Sequence, residues 1–132
     1  MKPNMQENHL FEYAIIRVVP RVEREEFLNV GVIVYSKPLQ FLQTVYTLDA
    51  QRLKSLFPEI DLKELKTHLE AFEQVSLGNP DAGPIAGLDI ASRFRWLTAK
   101  RSTVLQTSVV HPGLCKDAKE TLERLHQQLV LS

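Results

Sequence analysis

Only one cysteine, Cys115, stands in this sequence of 132 residues. No intramolecular disulfide can staple the chain, and one mark of a secreted protein is missing. There is no excess charge of either sign, since 16 basic side chains offset 16 acidic ones. No whole-molecule field therefore draws the chain toward nucleic acid or an anionic membrane. No apolar run approaches the roughly 20 residues that cross a bilayer, and Met1 to Asn8 carry no apolar signal core. The cytoplasm is the expected location, with no membrane association. Metal ligands are also short. His9, His68, His111 and His126 are scattered, with no second cysteine and no pair at ligand spacing on one helix face. Gly78, Gly83 and Gly87 lack the lysine and the strand-to-helix frame of a phosphate loop. No cofactor is expected.

What is present is enough apolar material for a core. Hydrophobic residues make up 44% of the chain against 24% charged, an ordinary globular balance. At this length a folded domain withdraws roughly two thirds of its unfolded surface from water and needs no staple. The expectation is one α+β domain over residues 10–132, behind a polar tail at residues 1–9.

Hydrophobic periodicity supplies the elements. Residues 10–19 are almost continuously apolar and β-branched and stop at Pro20, which reads as a strand. A charged connection leads to a second strand at 27–36. Ser36-Lys37-Pro38-Leu39 is turn chemistry, with proline preset for position i+1. A third strand at 40–48 is then its hairpin partner. Both faces of the first two strands are apolar: Tyr13, Ile15 and Val19 oppose Ala14, Ile16 and Val18. The third strand, with Gln43 and Thr47 interleaved, reads as an edge. Asn29 and Gly31 mark a bulge or a close backbone approach.

Helices are predicted at 50–57, 61–76, 92–97 and 117–130. Two of them open on the capping-box spacings Asp61…Glu64 and Asp117…Glu120. Leu62, Leu65, Leu69, Phe72 and Val75 recur at helical spacing, as do Ala118, Leu122, Leu125 and Leu129. Residues 78–88 read as a loop. Residues 102–110 are a fourth strand, broken by His111-Pro-Gly, so the sheet is four-stranded and mostly antiparallel. If helices 61–76 and 117–130 cover one face of that sheet, the other face wants a partner. This points to a non-enzymatic interaction module that self-associates as a homo-oligomer or serves a larger protein.

Three constellations offer chemistry. Between Asp89 and Asp117 there is no acidic residue, yet Arg93, Arg95, Lys100, Arg101 and Lys116 are present among Ser102, Thr103, Gln106, Thr107, Ser108 and His111. Guanidinium forks and hydroxyls of this kind grip phosphates. Arg17, which interrupts an apolar strand, must be paired or lie at the sheet's margin. Arg17, Arg93, Arg95, Arg101, Ser102 and Thr103 are the anion-binding candidates, for a nucleotide or another phosphate-containing ligand converging in one cleft. Against this stands pairing of the arginines with Glu12, Glu23, Glu25 and Glu26 across the sheet, the commoner use of such residues. Second, Arg93-Phe94-Arg95-Trp96 has the base–aromatic alternation of single-strand platforms. On a short helix, however, Phe94 and Leu97 would simply face the core. Nucleic-acid binding is not expected at zero net charge. Third, Cys115 lies near His111, but without an orienting third group it reads as a small buried apolar residue. No catalytic residue is assigned.

Tyr13-Ala-Ile-Ile-Arg-Val-Val-Pro-Arg21, Glu25-Glu-Phe-Leu-Asn-Val-Gly-Val-Ile-Val-Tyr35 and Arg93-Phe-Arg-Trp-Leu-Thr-Ala-Lys-Arg-Ser-Thr-Val-Leu-Gln106, with the helix after Asp117, resemble a bacterial family known as domain of unknown function 3037. The resemblance spans roughly residues 10–130. It brings no established activity, cofactor or catalytic residue. It implies an accessory or regulatory role beside a HipA-like kinase. Lys100 stands where relatives are expected to carry proline, and this departure adds charge to the basic segment.

Overall fold

The computed structural model describes residues 7–21, 24–101 and 103–132. Most of the predicted tail and Ser102 and Glu23 lie outside them. Strand β1 (His9–Val18) runs through the middle of an antiparallel sheet, beginning one residue inside the predicted tail. On one side it pairs with β2 (Leu28–Ser36), which pairs in turn with β3 (Phe41–Tyr46). On its other side two short strands share a single lateral position. β4 (Leu105–Thr107) lies beside Ile16–Val18, and β5 (His111–Cys115) lies beside His9–Tyr13. The α+β reading and the edge assignment of β3 therefore hold.

The predicted break at His111-Pro-Gly does not. The strand resumes there as β5, because Pro112 sits on an edge, where a missing N–H need not interrupt any ladder. The register slips by one residue between β4 and β5, and Ser108 bridges the slip. Its N–H donates to Ile15 O, and its Oγ accepts from Ile15 N at 2.8 Å. A proline and a bulge on this edge also discourage pairing with another chain.

A second irregularity lies between β1 and β2. Ile16 faces Gly31 and Arg17 faces Asn29, which leaves Val30 as the extra, bulged residue. A Cβ at Gly31 would sit 2.6 Å from Val45 O and 2.8 Å from Tyr46 Cβ, so the neighbouring backbone of β3 requires glycine there. The sequence reading of Asn29 and Gly31 as a bulge and a close approach is borne out.

Four helices follow one rule at their starts. Asp49, Asp61, Asp89 and Asp117 cap α1 (Ala50–Leu56), α2 (Leu62–Leu77), α3 (Ile90–Leu97) and α4 (Ala118–His126). Each carboxylate accepts the N–H three residues on, at 2.7–3.1 Å. Such a cap contributes about 1 kcal/mol by satisfying an orphan donor. The loop between α2 and α3 contains two short 3-10 turns, Pro80–Ala82 and Pro84–Gly87. The last turns of α4 widen over Gln127–Leu131.

The placement of helices corrects the sequence reading. Helices α2 and α4 do not share a face. Leu65, Leu69, Val75, Phe94 and Leu97 pack with Leu53 of α1 on the side of the sheet that carries Ala14, Ile16, Val18 and Ile33. Ala118, Leu122 and Leu125 pack on the opposite side, against Phe11, Val32 and Val34. β3 contributes to both layers, since Phe41 and Val45 join the α4 layer while Leu42 joins the other. Periodicity identifies a helix's apolar face but not the sheet face it meets, which depends on where the chain returns. Here β5 ends at Cys115 beside His9, and α4 recrosses the sheet underneath. With both faces covered, the stated reason for a self-associating sheet is removed.

Candidate functional site

The basic segment from Arg93 to Arg101 is tied into the scaffold. Arg93 projects from α3 against the C-terminus of α2, where Gly78 adopts the left-handed conformation that ends the helix (φ 73°). α2 has no basic residue in its own last turn, so the guanidinium of Arg93 supplies the positive charge that a helix C-terminus favours. Arg95 grips Glu12 on β1 with both carboxylate oxygens at 2.9 Å. Arg101 closes α3 itself, donating to the carbonyls of Trp96, Leu97 and Ala99. Its guanidinium also lies 4.6 Å from the centroid of the Trp96 ring.

The hydroxyls of the same window bond to nearby backbone carbonyls. Thr103 Oγ1 donates to Leu105 O, Thr107 Oγ1 to Thr98 O and Ser108 Oγ to Val109 O. Ser102 lies outside the described residues. Arg17 stands on the other face of the sheet, since its neighbours Ile16 and Val18 face α2 and its cross-strand partner Asn29 donates to Leu129 O below α4. The Arg17 guanidinium rests 4.1 Å over the Phe27 ring, a cation–π contact that compensates the charge. Partial burial lowers its pKa from the usual guanidinium value. Arg17 Nε, Asn29 Oδ1 and Arg93 Nε, all buried, have no hydrogen-bond partner among the described residues.

Arg17, Arg93, Arg95 and Arg101 thus do not converge in one cleft. Of the carboxylates weighed as partners in the sequence, Glu12 binds Arg95, while Glu26 binds Arg24 at 2.8 Å. Phe94 is fully buried between Tyr35 and Leu97, whereas Trp96 stays 45% exposed with Arg101 over one face of its ring, so the alternating pair does not present two open rings.

Cys115 and His111 lie on one face of β5, four residues apart. That spacing separates them by roughly 13 Å along a strand. The ring of Phe11 fills the gap between them, over Gly113, where a Cβ would fall 2.6 Å from it. His111 packs against Tyr13 instead, with ring centroids 5.2 Å apart. Burial pushes the Cys115 thiol up, only partly opposed by the neighbouring Thr121 hydroxyl. A raised thiol with no adjacent imidazole is a poor nucleophile. Among the described residues no group of histidine, cysteine and carboxylate side chains is placed to hold a metal ion.

A different region is concave. A groove of about 840 Å³ opens at the C-terminal end of β1. Pro20, Arg21, Arg24 and Glu26 line it from the β1–β2 connection, and Thr103 and Val104 from the approach to β4. Residues 56–61, with Glu64, Leu65 and His68, line it from the α1–α2 junction. Local chemistry builds each part. Pro58 ends α1, Ile60 N closes a turn on Phe57 O, and Asp61 starts α2. Val19 N donates to Val104 O at 2.6 Å, which fastens the approach to β4 beside β1. Leu65 is buried beneath, while Leu56 (53%) and Val104 (44%) stay exposed.

Sequence reasoning missed this groove because its three segments are distant along the chain and carry no motif. The single local signal is Leu56-Phe57, with Ile60 close behind, more apolar material than a helix-to-helix turn needs.

A family model described as "Protein of unknown function (DUF3037)" matches residues 13–130, nearly the whole chain. No curated protein and no solved structure matches it.

Proposed function

We propose that this chain, which belongs to the DUF3037 family of proteins of unknown function, is a non-enzymatic accessory module that receives a segment of a partner protein in the groove at the end of β1. The observation that carries this reading is the groove itself. Its 840 Å³ falls within the range of binding clefts, and its lining combines apolar side chains with a few charged ones. Leu56 and Val104, half in water, are the kind of side chain that a docked segment covers. The remaining chemistry-bearing groups have structural engagements: Arg93 and Arg101 at helix ends, Arg95 on Glu12, Cys115 in the core beneath α4.

The partner to test first is a HipA-like kinase, for which the module acts as an accessory or regulator. Size-exclusion chromatography with light scattering on the mixed proteins gives a joint peak for the wild type. The Leu56→Asp/Val104→Asp variant, still folded by circular dichroism, loses it. A complex that survives the double substitution unchanged overturns the assignment of the groove as the docking site.

A further inference from the structure

We infer that the groove selects a polypeptide segment carrying an apolar anchor flanked by lysine or arginine, an inference that rests on the docking reading above and adds the chemistry of the occupant. The charge balance of the lining carries it. Among the described lining residues, Arg21 and Arg24 face four carboxylates, Glu26, Glu59, Asp61 and Glu64. Arg24 is closed by Glu26 at 2.8 Å. Among these described residues Arg21 then stands against Glu59, Asp61 and Glu64, an excess of two negative charges.

Part of that excess is used locally, since one oxygen of Asp61 accepts the Glu64 N–H at the start of α2. The positive end of that helix offsets about half a charge. Glu59 and Glu64 are exposed and form no ion pair among the described residues. The chain as a whole is neutral, so this field is a property of the groove. It acts over about the Debye length, 8–10 Å at ordinary salt, the scale of a segment lying in the groove.

A phosphate or an acidic segment is repelled there, whereas a cationic side chain beside Glu59 and Glu64 is attracted. The apolar part of the occupant covers Leu56, Phe57 and Val104. The basic stretch from Arg93 to Arg101 does not contribute to this lining. Its guanidinium groups lie elsewhere, and the groove has the opposite sign.

The test is an amide NMR titration of the full chain with three short synthetic peptides of equal length, one of leucine and lysine, one of leucine and glutamate, one of glycine and lysine. The leucine–lysine peptide is expected to shift the amides of Leu56, Ile60, Glu64 and Val104. It should bind about tenfold more tightly than the leucine–glutamate peptide, the size that two exposed ion pairs supply. Glu59→Gln/Glu64→Gln should remove most of that preference while lowering the melting temperature by only a few degrees, since glutamine keeps the capping position and only the first-turn charge of α2 is lost; high salt should remove the preference in the wild type. If the acidic peptide binds as tightly at the same amides, the charge inference falls and the docking groove stands. Equal shifts from the glycine–lysine peptide overturn the apolar anchor. Should neither leucine peptide move the groove amides, both the inference and the docking reading fail.

Discussion

Replacing Gly78 by alanine tests whether Arg93 is a structural cation or a ligand-binding one. Gly78 ends α2 at φ 73°, where its N–H donates to Val75 O at 3.0 Å. An alanine forced into that left-handed conformation costs about 1 kcal/mol. Its Cβ also falls inside the guanidinium of Arg93. That group is the far end of a flexible side chain, so it is displaced, and α2 loses a charge–dipole interaction of about 0.3–1 kcal/mol. The single substitution should therefore destabilise by about 1.3–2 kcal/mol, which at this chain length lowers the melting temperature by roughly 4–10 °C. In an Arg93→Leu background only the conformational part remains, about 1 kcal/mol. The coupling in a double-mutant cycle, read from urea unfolding, is then about 0.3–1 kcal/mol. A coupling of zero within error, or of opposite sign, would refute the placement of Arg93 on the end of α2. Phosphate raising the melting temperature of the wild type but not of Arg93→Leu would refute its structural role, because a bound anion stabilises only through a site that holds it.

Four further outcomes follow from the fold. Gly31→Ala, whose Cβ meets the backbone of β3 at 2.6 Å, should destabilise by about 2–3 kcal/mol or more, since backbone gives way less readily than a side chain; a urea midpoint equal to that of the wild type would contradict this. The Cys115 thiol, buried and with its pKa raised, should react with a thiol reagent only as fast as the protein opens; labelling at the rate of a free thiol would contradict the packing under α4. His126, within 3.0 Å of Thr47 Oγ1, has its pKa lowered from 6.5 by burial. The unfolded chain then binds the proton more readily, so this contribution to stability is complete above pH 6.5 and is lost as pH falls toward the depressed folded value. His126→Gln should flatten that part of the stability profile; an unchanged slope would assign it to another group. Light scattering at micromolar protein should give the 15.1 kDa monomer, because helices already cover both faces of the sheet; a stable dimer would show that an edge or the groove is occupied by a second copy.

Much of the architecture is legible in the order of residues because local physical chemistry decides it. The β-branched run ending at Pro20 makes β1, Pro38 turns β2 into β3, and the aspartates at 61 and 117 start α2 and α4 where their capping spacing places them. Gly31 and Asn29 announce the bulge because a pleated ladder has no other ready use for them. Three matters were decided only in three dimensions. Which face of the sheet α4 meets depends on β5 resuming after His111, and an edge position makes Pro112 tolerable there. The fate of each arginine depends on which carbonyl, carboxylate or ring lies within a few ångströms after folding, so a segment that reads as an anion site in one dimension becomes two helix ends and an ion pair. The groove, finally, joins segments from residues 20–26, 56–68 and 103–104. Local spacing has no access to such a meeting, because it is the long-range pairing of β1 with β4 and the packing of Leu65 and Leu69 against β1 that bring those segments together.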